Sequence, residues 1–245
     1  MITSSSIIGK MMRLPLRAIP KSWVVPVLGG PLRGGRWVSG ASVHGCWLGW
    51  YEKGKAEAFR NAVGQNSVVW DIGANVGYYT LIAASRATSG RVYAFEPLPS
   101  NVALLHRHLE LNRVENVTVL EVAVSDHEGE GRFEMAESNS MGHLGTGGKT
   151  LRVRLVGMDE AVQRGELPAP THIKMDIEGA EYDALRGGIN TLKVSRPILF
   201  LATHGAVVHD GCCSLLRDLH YDLQPLGGVP LERCSELVAR PKVVA

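Results

Sequence analysis

The stretch Ser67-Val68-Val69-Trp70-Asp71-Ile72-Gly73-Ala74-Asn75-Val76-Gly77-Tyr78-Tyr79-Thr80 restricts the fold of this 245-residue chain more than any other. It reads as a buried strand that ends at an acid, a glycine-rich turn and the start of a helix. A short apolar run bounded by turn signals fits a strand buried on both faces. Gly73 and Gly77 supply backbone freedom and let main chain approach a ligand with no Cβ in the way. A nucleotide-like ligand is the natural occupant of such a turn, and an ordinary strand–turn–helix corner is the alternative.

The residue types separate the ligand classes. A dinucleotide fingerprint wants G-x-G-x-x-G, which seats a pyrophosphate at a helix N-terminus. Here the run is D-x-G-x-N-x-G, with Asn75 where the middle glycine would stand. That departs from a pyrophosphate loop. It suits S-adenosylmethionine, which has no phosphate but carries an amino acid, a sulfonium and an adenosine. Asp71, Gly73, Ala74, Asn75 and Gly77 are therefore candidate cofactor contacts.

The rest of the chain supplies the frame. The spacing predicts helices over 57–63, 78–86, 100–111, 158–163 and 180–185, and another around 213–219. It predicts strands over 91–95, 117–124, 172–176 and 197–202, with closing strands near 221–225 and 236–239. Strands alternating with helices imply a parallel sheet covered on both faces. Between 127 and 155 the alternation breaks. Two extra strands, 131–135 and 151–155, flank a Gly/Ser-rich loop that could cover a site or be a plain hairpin tip. Gly145-Thr146-Gly147-Gly148-Lys149-Thr150 superficially matches a phosphate-binding loop. The rule G-x-x-x-x-G-K-S/T needs glycine at 143, which is His143, and the next residues alternate as a strand, so an NTPase is excluded.

Composition bounds the class. An apolar content of 45% and a net charge of +2 describe an ordinary globular chain with no nucleic-acid signature. The four cysteines, Cys46, Cys212, Cys213 and Cys234, form no C-x-x-C pair and no zinc pattern, so free thiols in a reducing cytoplasm are expected. Residues 1–50 hold Lys10, Arg13, Arg17, Lys21, Arg33 and Arg36 and no acid. This leader, with a short helix near 7–16, reads either as an extension wrapped on the domain or as a peripheral contact to anionic lipid. No apolar run is long enough for a membrane span. Trp47, Trp50 and Tyr51 offer either a wall of an acceptor pocket or a plug that docks the leader.

In an open α/β sheet, ligands lie beyond the carboxyl ends of the strands. Asp71, Glu96, Asp176, Glu178 and His204 all fall at such ends. Glu96, 25 residues after Asp71, can accept hydrogen bonds from both hydroxyls of an adenosine ribose. Asp176, Glu178 and His204 then face the transferred group. Methyl transfer needs an aligned acceptor and, for a hydroxyl, a proton acceptor, which Asp176 or a neutral His204 could be. Lys174 alternates with Asp176 and is a candidate charge partner for an acid. Capping of the next helix is the competing role for Asp176 and Glu178, and simple packing that for His204. Two carboxylates and a histidine could also hold a divalent cation, but nothing in the spacing demands one, and no metal is assigned.

The same residues resemble a known family. Trp47-Leu48-Gly49-Trp50-Tyr51-Glu52, the run from Val69 to Thr80, Ala94-Phe95-Glu96-Pro97, Ala123-Val124-Ser125-Asp126 and Ile173-Lys174-Met175-Asp176-Ile177-Glu178-Gly179-Ala180-Glu181 are similar, in this order, to motifs of the FkbM-type S-adenosylmethionine-dependent methyltransferases. The resemblance implies a Rossmann-like, doubly wound α/β fold with a seven-stranded sheet, mostly parallel with one antiparallel strand. It implies cofactor contacts from the 71–77 turn and Glu96, with main chain near Ala123 beside the adenine. It implies O-methylation of a sugar, glycolipid or natural product. The family often has an acid shortly before the histidine of the fifth strand; this chain has Leu201-Ala202-Thr203-His204.

The resulting expectation is an irregular basic N-terminal extension over 1–45 and a methyltransferase domain over 46–245. The expected acceptor is a small molecule, glycan or lipid-linked glycan, and the expected location is the cytoplasm, with the membrane surface as a peripheral option. Competing readings are an N- or carboxyl-methyltransferase of the same fold, a cofactor-binding scaffold without turnover and, more distantly, a nicotinamide oxidoreductase.

Overall fold

The computed structural model describes residue 16 and residues 19–135, 142–144 and 150–242. Its centre is a seven-stranded sheet in the order β12-β13-β11-β10-β3-β4-β5. The strands are β3 (Val68–Ile72), β4 (Arg91–Phe95), β5 (Val117–Leu120), β10 (His172–Met175), β11 (Ile198–Ala202), β12 (Tyr221–Pro225) and β13 (Glu236–Pro241). The neighbours from β11 to β5 pair in parallel. β13 runs antiparallel between β11 and β12. This is the mostly parallel sheet with one antiparallel strand that the alternation and the resemblance implied.

Strand parity builds two cores. Val69, Val92, Ala94 and Phe200 point into one apolar cluster. Trp70, Ile72, Phe95, Ile173, Met175, Leu199 and Leu201 point into the other. Helices α3 (Tyr78–Arg86) and α4 (Pro99–Leu111) contribute Ile82 and Leu105 to the first cluster, and α8 (Ala206–Asp218) contributes Leu216 to the second. Both faces of the central strands are thereby dry, as a run such as Val-Val-Trp requires. α8 begins well before residue 213, because Val208, Cys212 and Leu215 continue its apolar stripe toward the second cluster.

Two expectations need correction. Residues 117–124 are not one strand. The Leu120 carbonyl accepts from both Glu96 N–H (3.1 Å) and Val122 N–H (2.9 Å), so the chain turns there. β6 (Ala123–Ser125) leaves the main sheet and pairs with β9 (Thr150–Gly157) in a second sheet, in the order β6-β9-β7-β8. That sheet also holds β7 (Gly129–Met135) and β8 (Gly142–Leu144). The Gly/Ser-rich cover and the helix near 7–16 fall outside the described residues, apart from Leu16 and 142–144.

The leader, secondly, is not wholly irregular. β1 (Val24–Pro26) and β2 (Arg36–Val38) form an antiparallel pair, and fully buried Trp37 joins the first core cluster. All four cysteines are buried and free. Among the described residues, no helix is long and apolar enough to cross a membrane.

Candidate active site

The main sheet reverses its strand order between β3 and β10, and a crevice opens beyond the carboxyl ends of strands at such a switch point. A cavity of about 300 Å³ lies there. It is lined by the turn after β3 from Gly73 to Val76, by Glu96 after β4, by Ala123 on β6, and by Asp176 and Glu178 after β10. Ser42 and Val43 of the leader, with Cys46 and Tyr51 just after it, also line the cavity. The aromatic segment is therefore divided: Tyr51 is a wall residue, Trp47 is buried in the core and Trp50 is exposed.

The turn spends its amides on the protein itself. Gly73 N–H and Ala74 N–H both donate to the Phe95 carbonyl (3.0 and 2.9 Å), and Gly77 N–H donates to Ala74 O. Asn75 N–H donates to Glu96 Oε2 (2.8 Å). A pyrophosphate cradle needs such donors free, so this turn is a poor phosphate site. Its glycines answer to packing. Gly73 sits at φ 78°, and a Cβ there would overlap the Asp176 carbonyl oxygen. Gly77, at φ 96°, abuts Leu105 and does not line the cavity. Close approach of neighbouring protein, rather than of ligand alone, selects both.

Glu96 is buried at the cavity wall. Its Oε1 accepts from Leu98 N–H (2.9 Å) and Asn101 Nδ2 (3.2 Å), and its Oε2 accepts from Asn75. Burial raises its pKa, against the lowering effect of these hydrogen bonds. A carboxylate oxygen offers about two acceptor directions, so Oε2 keeps capacity for a ligand hydroxyl.

Asp71 lies beneath the turn and does not line the cavity. It is fully buried; its Oδ2 accepts from Thr80 Oγ1 (2.6 Å), and its Oδ1 stands 3.6 Å from Lys174 Nζ. The parallel register sets Lys174 beside Asp71 on the same face. Lys174 is thus the charge partner its alternation suggested, and it also donates to Gly73 O (3.2 Å). Burial pushes the Asp71 carboxyl up, opposed chiefly by the Lys174 charge.

The second half of the site follows β10. Asp176, Glu178 and His204 converge: His204 Nε2 is 3.7 Å from Asp176 Oδ1 and 3.5 Å from Glu178 Oε2. Glu178 adopts φ 54°, a left-handed conformation that costs a non-glycine residue roughly 1–2 kcal/mol. The group that holds this loop is Glu181, the first residue of α6 (Glu181–Arg186). It is fully buried and accepts from Ile177 N–H, Gly179 N–H (3.1 Å each) and His204 Nδ1 (2.9 Å). Burial would raise its carboxyl, but these bonds, led by His204, hold it below the usual carboxylate range. His204 in turn is raised by its hydrogen bond to Glu181 against the effect of burial, with help from the Glu181, Glu178 and Asp176 charges.

Sequence reasoning quoted Glu181 only as the end of a family motif and gave it no role. It also missed Lys55 on α2 (Lys53–Ala62), buried between Glu236 (2.8 Å), Glu52 (3.4 Å) and Asp176 (3.9 Å). Tyr79 donates to Glu52 Oε2 (2.7 Å), and its ring lies under both Lys55 and Lys174. No local pattern announces Lys55, because apart from Glu52, three residues before it, its partners Tyr79, Asp176 and Glu236 come from three distant segments of chain.

A methyltransferase FkbM domain matches residues 71–223, more than half of the chain. The hexuronic acid methyltransferase AglP of Haloferax volcanii is 30% identical over 131 residues, which are 53% of this chain and 53% of that protein. Methyltransferase 1 of Beauveria bassiana is 24% identical over 147 residues, 50% of this chain and 58% of that one. The chain thus spans about half the length of these curated relatives. In structure it is similar to the methyltransferase FkbM of Methylobacillus flagellatus KT, with a TM-score of 0.52 and 19% identity over 72% of this chain and 44% of that one, a likeness of fold. With its five motifs in order along a sheet of this topology, the chain belongs to the FkbM methyltransferase family.

Proposed function

We propose that this chain binds S-adenosylmethionine in the cavity at the β3/β10 switch point and transfers its methyl group to a hydroxyl of a saccharide, glycolipid or natural product. The observation that carries the reading is the wiring of the turn: its amides are taken by Phe95 and Glu96, while the Glu96 carboxylate faces the cavity. Such a site disfavours a phosphate-bearing dinucleotide and suits a nucleoside without phosphate. Glu96 would hold the ribose hydroxyls, main chain from Gly73 to Asn75 the amino-acid part, and Ala123 the adenine. Asp71 contributes indirectly, by holding Thr80 and Lys174 under the turn.

S-adenosylmethionine supplies an electrophilic methyl on a sulfonium that is already a good leaving group. What remains for the protein is alignment of the acceptor and disposal of its proton. Asp176 and Glu178 line the cavity, His204 stands behind them and is preset by Glu181, and these three groups would face the acceptor. The resemblance to a hexuronic acid methyltransferase favours a sugar acceptor. The leader, exposing Trp23, Leu28, Val43 and Trp50 and carrying no acid before Glu52, supports a lipid-linked form of it.

Calorimetric titration with S-adenosylhomocysteine and with NAD tests the cofactor class. Saturable binding of the first alone is expected; binding of NAD alone would overturn the reading. Labelled methyl transfer into fractionated glycans, lipids and small molecules then identifies the acceptor, and labelling only of amines or carboxylates would replace the hydroxyl.

A further inference from the structure

We infer that Asp176, Glu178 and His204 form a binding site for a divalent first-row metal ion of the Mn²⁺ or Zn²⁺ class at the mouth of the cavity. One donor atom from each lies within 4.8 Å of the other two. His204 Nε2 stands 3.7 Å from Asp176 Oδ1 and 3.5 Å from Glu178 Oε2. These separations are too long for hydrogen bonds. Donors at about 2.1 Å from a shared ion, at angles between octahedral and tetrahedral, lie about 3.0–3.4 Å apart. Closure onto an ion therefore takes side-chain shifts of only a few tenths of an ångström along these two edges.

The surroundings point the same way. A metal-ligating histidine usually hands its other ring nitrogen to a carboxylate, which fixes the ring and its tautomer. Glu181 does this at 2.9 Å from full burial. It also takes the amides of Ile177 and Gly179, which flank Glu178. One buried carboxylate thus presets two of the three donors. Asp176 divides its oxygens: Oδ2 faces Lys55 and Lys174, each at 3.9 Å, and Oδ1 is turned toward His204.

The donor set selects the class of ion. Ca²⁺ wants six to eight oxygens, whereas one imidazole with two carboxylates suits Mn²⁺, Fe²⁺, Co²⁺ or Zn²⁺. Three protein donors leave coordination positions open toward the cavity, where an acceptor hydroxyl would be polarised. That consequence rests on the methyl-transfer reading; the binding of the ion does not.

The test uses the full chain, stripped with EDTA and dialysed. Free Mn²⁺ is followed by its electron paramagnetic resonance signal during titration, and Zn²⁺ by competition with a chromogenic chelator. Saturable uptake of a single ion is expected, weakened roughly tenfold or more in Glu178→Gln and in His204→Gln, with melting curves showing both variants folded. Absence of saturable uptake of either ion, or uptake equal in wild type and both variants, would overturn the site. Titration of S-adenosylhomocysteine into the EDTA-treated wild type reports on the cofactor site separately. Cofactor binding without metal uptake removes the ion and leaves the transferase.

Discussion

Trp37 lies flat against His108, their ring centroids 3.9 Å apart and their planes 15° from parallel. The imidazole is satisfied as a neutral ring. Its Nε2 accepts from Val38 N–H (3.0 Å), and its Nδ1 donates to Val76 O (2.7 Å). One histidine on α4 therefore clamps the leader hairpin to the turn after β3.

A second proton on that ring would have no acceptor, and burial lowers its pKa from 6.5 to about 4. The unfolded chain takes the proton first as pH falls. The stability this ring contributes is complete above pH ~6.5 and drains away toward pH ~4, a loss of about 3 kcal/mol. Urea midpoints measured at intervals from pH 7.5 to 4 should fall along that window, and the same series on His108→Gln should lose this component. An unchanged slope in the variant would assign the loss to other groups.

Lys174 and Asp71 form a buried pair, and removing one partner should cost far more than removing both charges. Lys174→Met leaves the Asp71 carboxylate buried with Thr80 alone, an expected loss of about 3–5 kcal/mol. Asp71→Asn in the same background should recover a large part of it. A double-mutant cycle by denaturant unfolding measures the coupling; simple additivity would mean that the pair is not a unit.

Gly73 and Gly77 should rank differently. A methyl at Gly73 meets main chain at Asp176, which cannot yield, whereas one at Gly77 meets the tip of Leu105, which can. Gly73→Ala should cost more than about 4 kcal/mol, and Gly77→Ala about 2–3 kcal/mol. Thermal melts of the two variants check the order, and the reverse order would contradict it.

Glu96 ties the turn to α4 and, in the proposed function, also holds the ribose; two substitutions separate these roles. Glu96→Ala strands the donors of Asn75, Leu98 and Asn101, so melting temperature and S-adenosylhomocysteine affinity should fall together. Glu96→Gln keeps the shape but loses charge-assisted acceptance, with an expected affinity loss of about 1.5–3 kcal/mol. Calorimetry beside melting curves reads both; unchanged affinity in Glu96→Gln removes the ribose role.

Much of this molecule follows from local pattern. The apolar run from Val68 to Ile72, the alternation that pairs Lys174 with its neighbours, and the acids at strand ends are properties of a few consecutive residues, and period-2 side-chain alternation converts them directly into faces. Order along the chain was enough to bring Glu96, Asp176 and Glu178 to one end of one sheet, because right-handed parallel crossovers leave few other arrangements. What local pattern could not contain is a partner chosen across distance. Glu181 becomes the organiser of His204 only when α6 packs beside the end of β11. Lys55 becomes a buried cation only when α2 meets β13. The strand after α4 divides at Leu120 because the segment beyond it, Ala123–Ser125, pairs with distant β9 instead of β4.

The sequence by itself determined the class of fold, the strand–turn–helix unit of residues 67–80 and the family, since each rests on short-range spacing. The tertiary structure alone decided that Asp71 and Gly77 serve packing beneath the turn, that Trp37 anchors the leader on His108, and that Asp176, Glu178 and His204 share one small volume. The physical reason is the same in every case: burial and hydrogen bonding depend on which distant groups arrive, and no run of neighbours encodes that arrival.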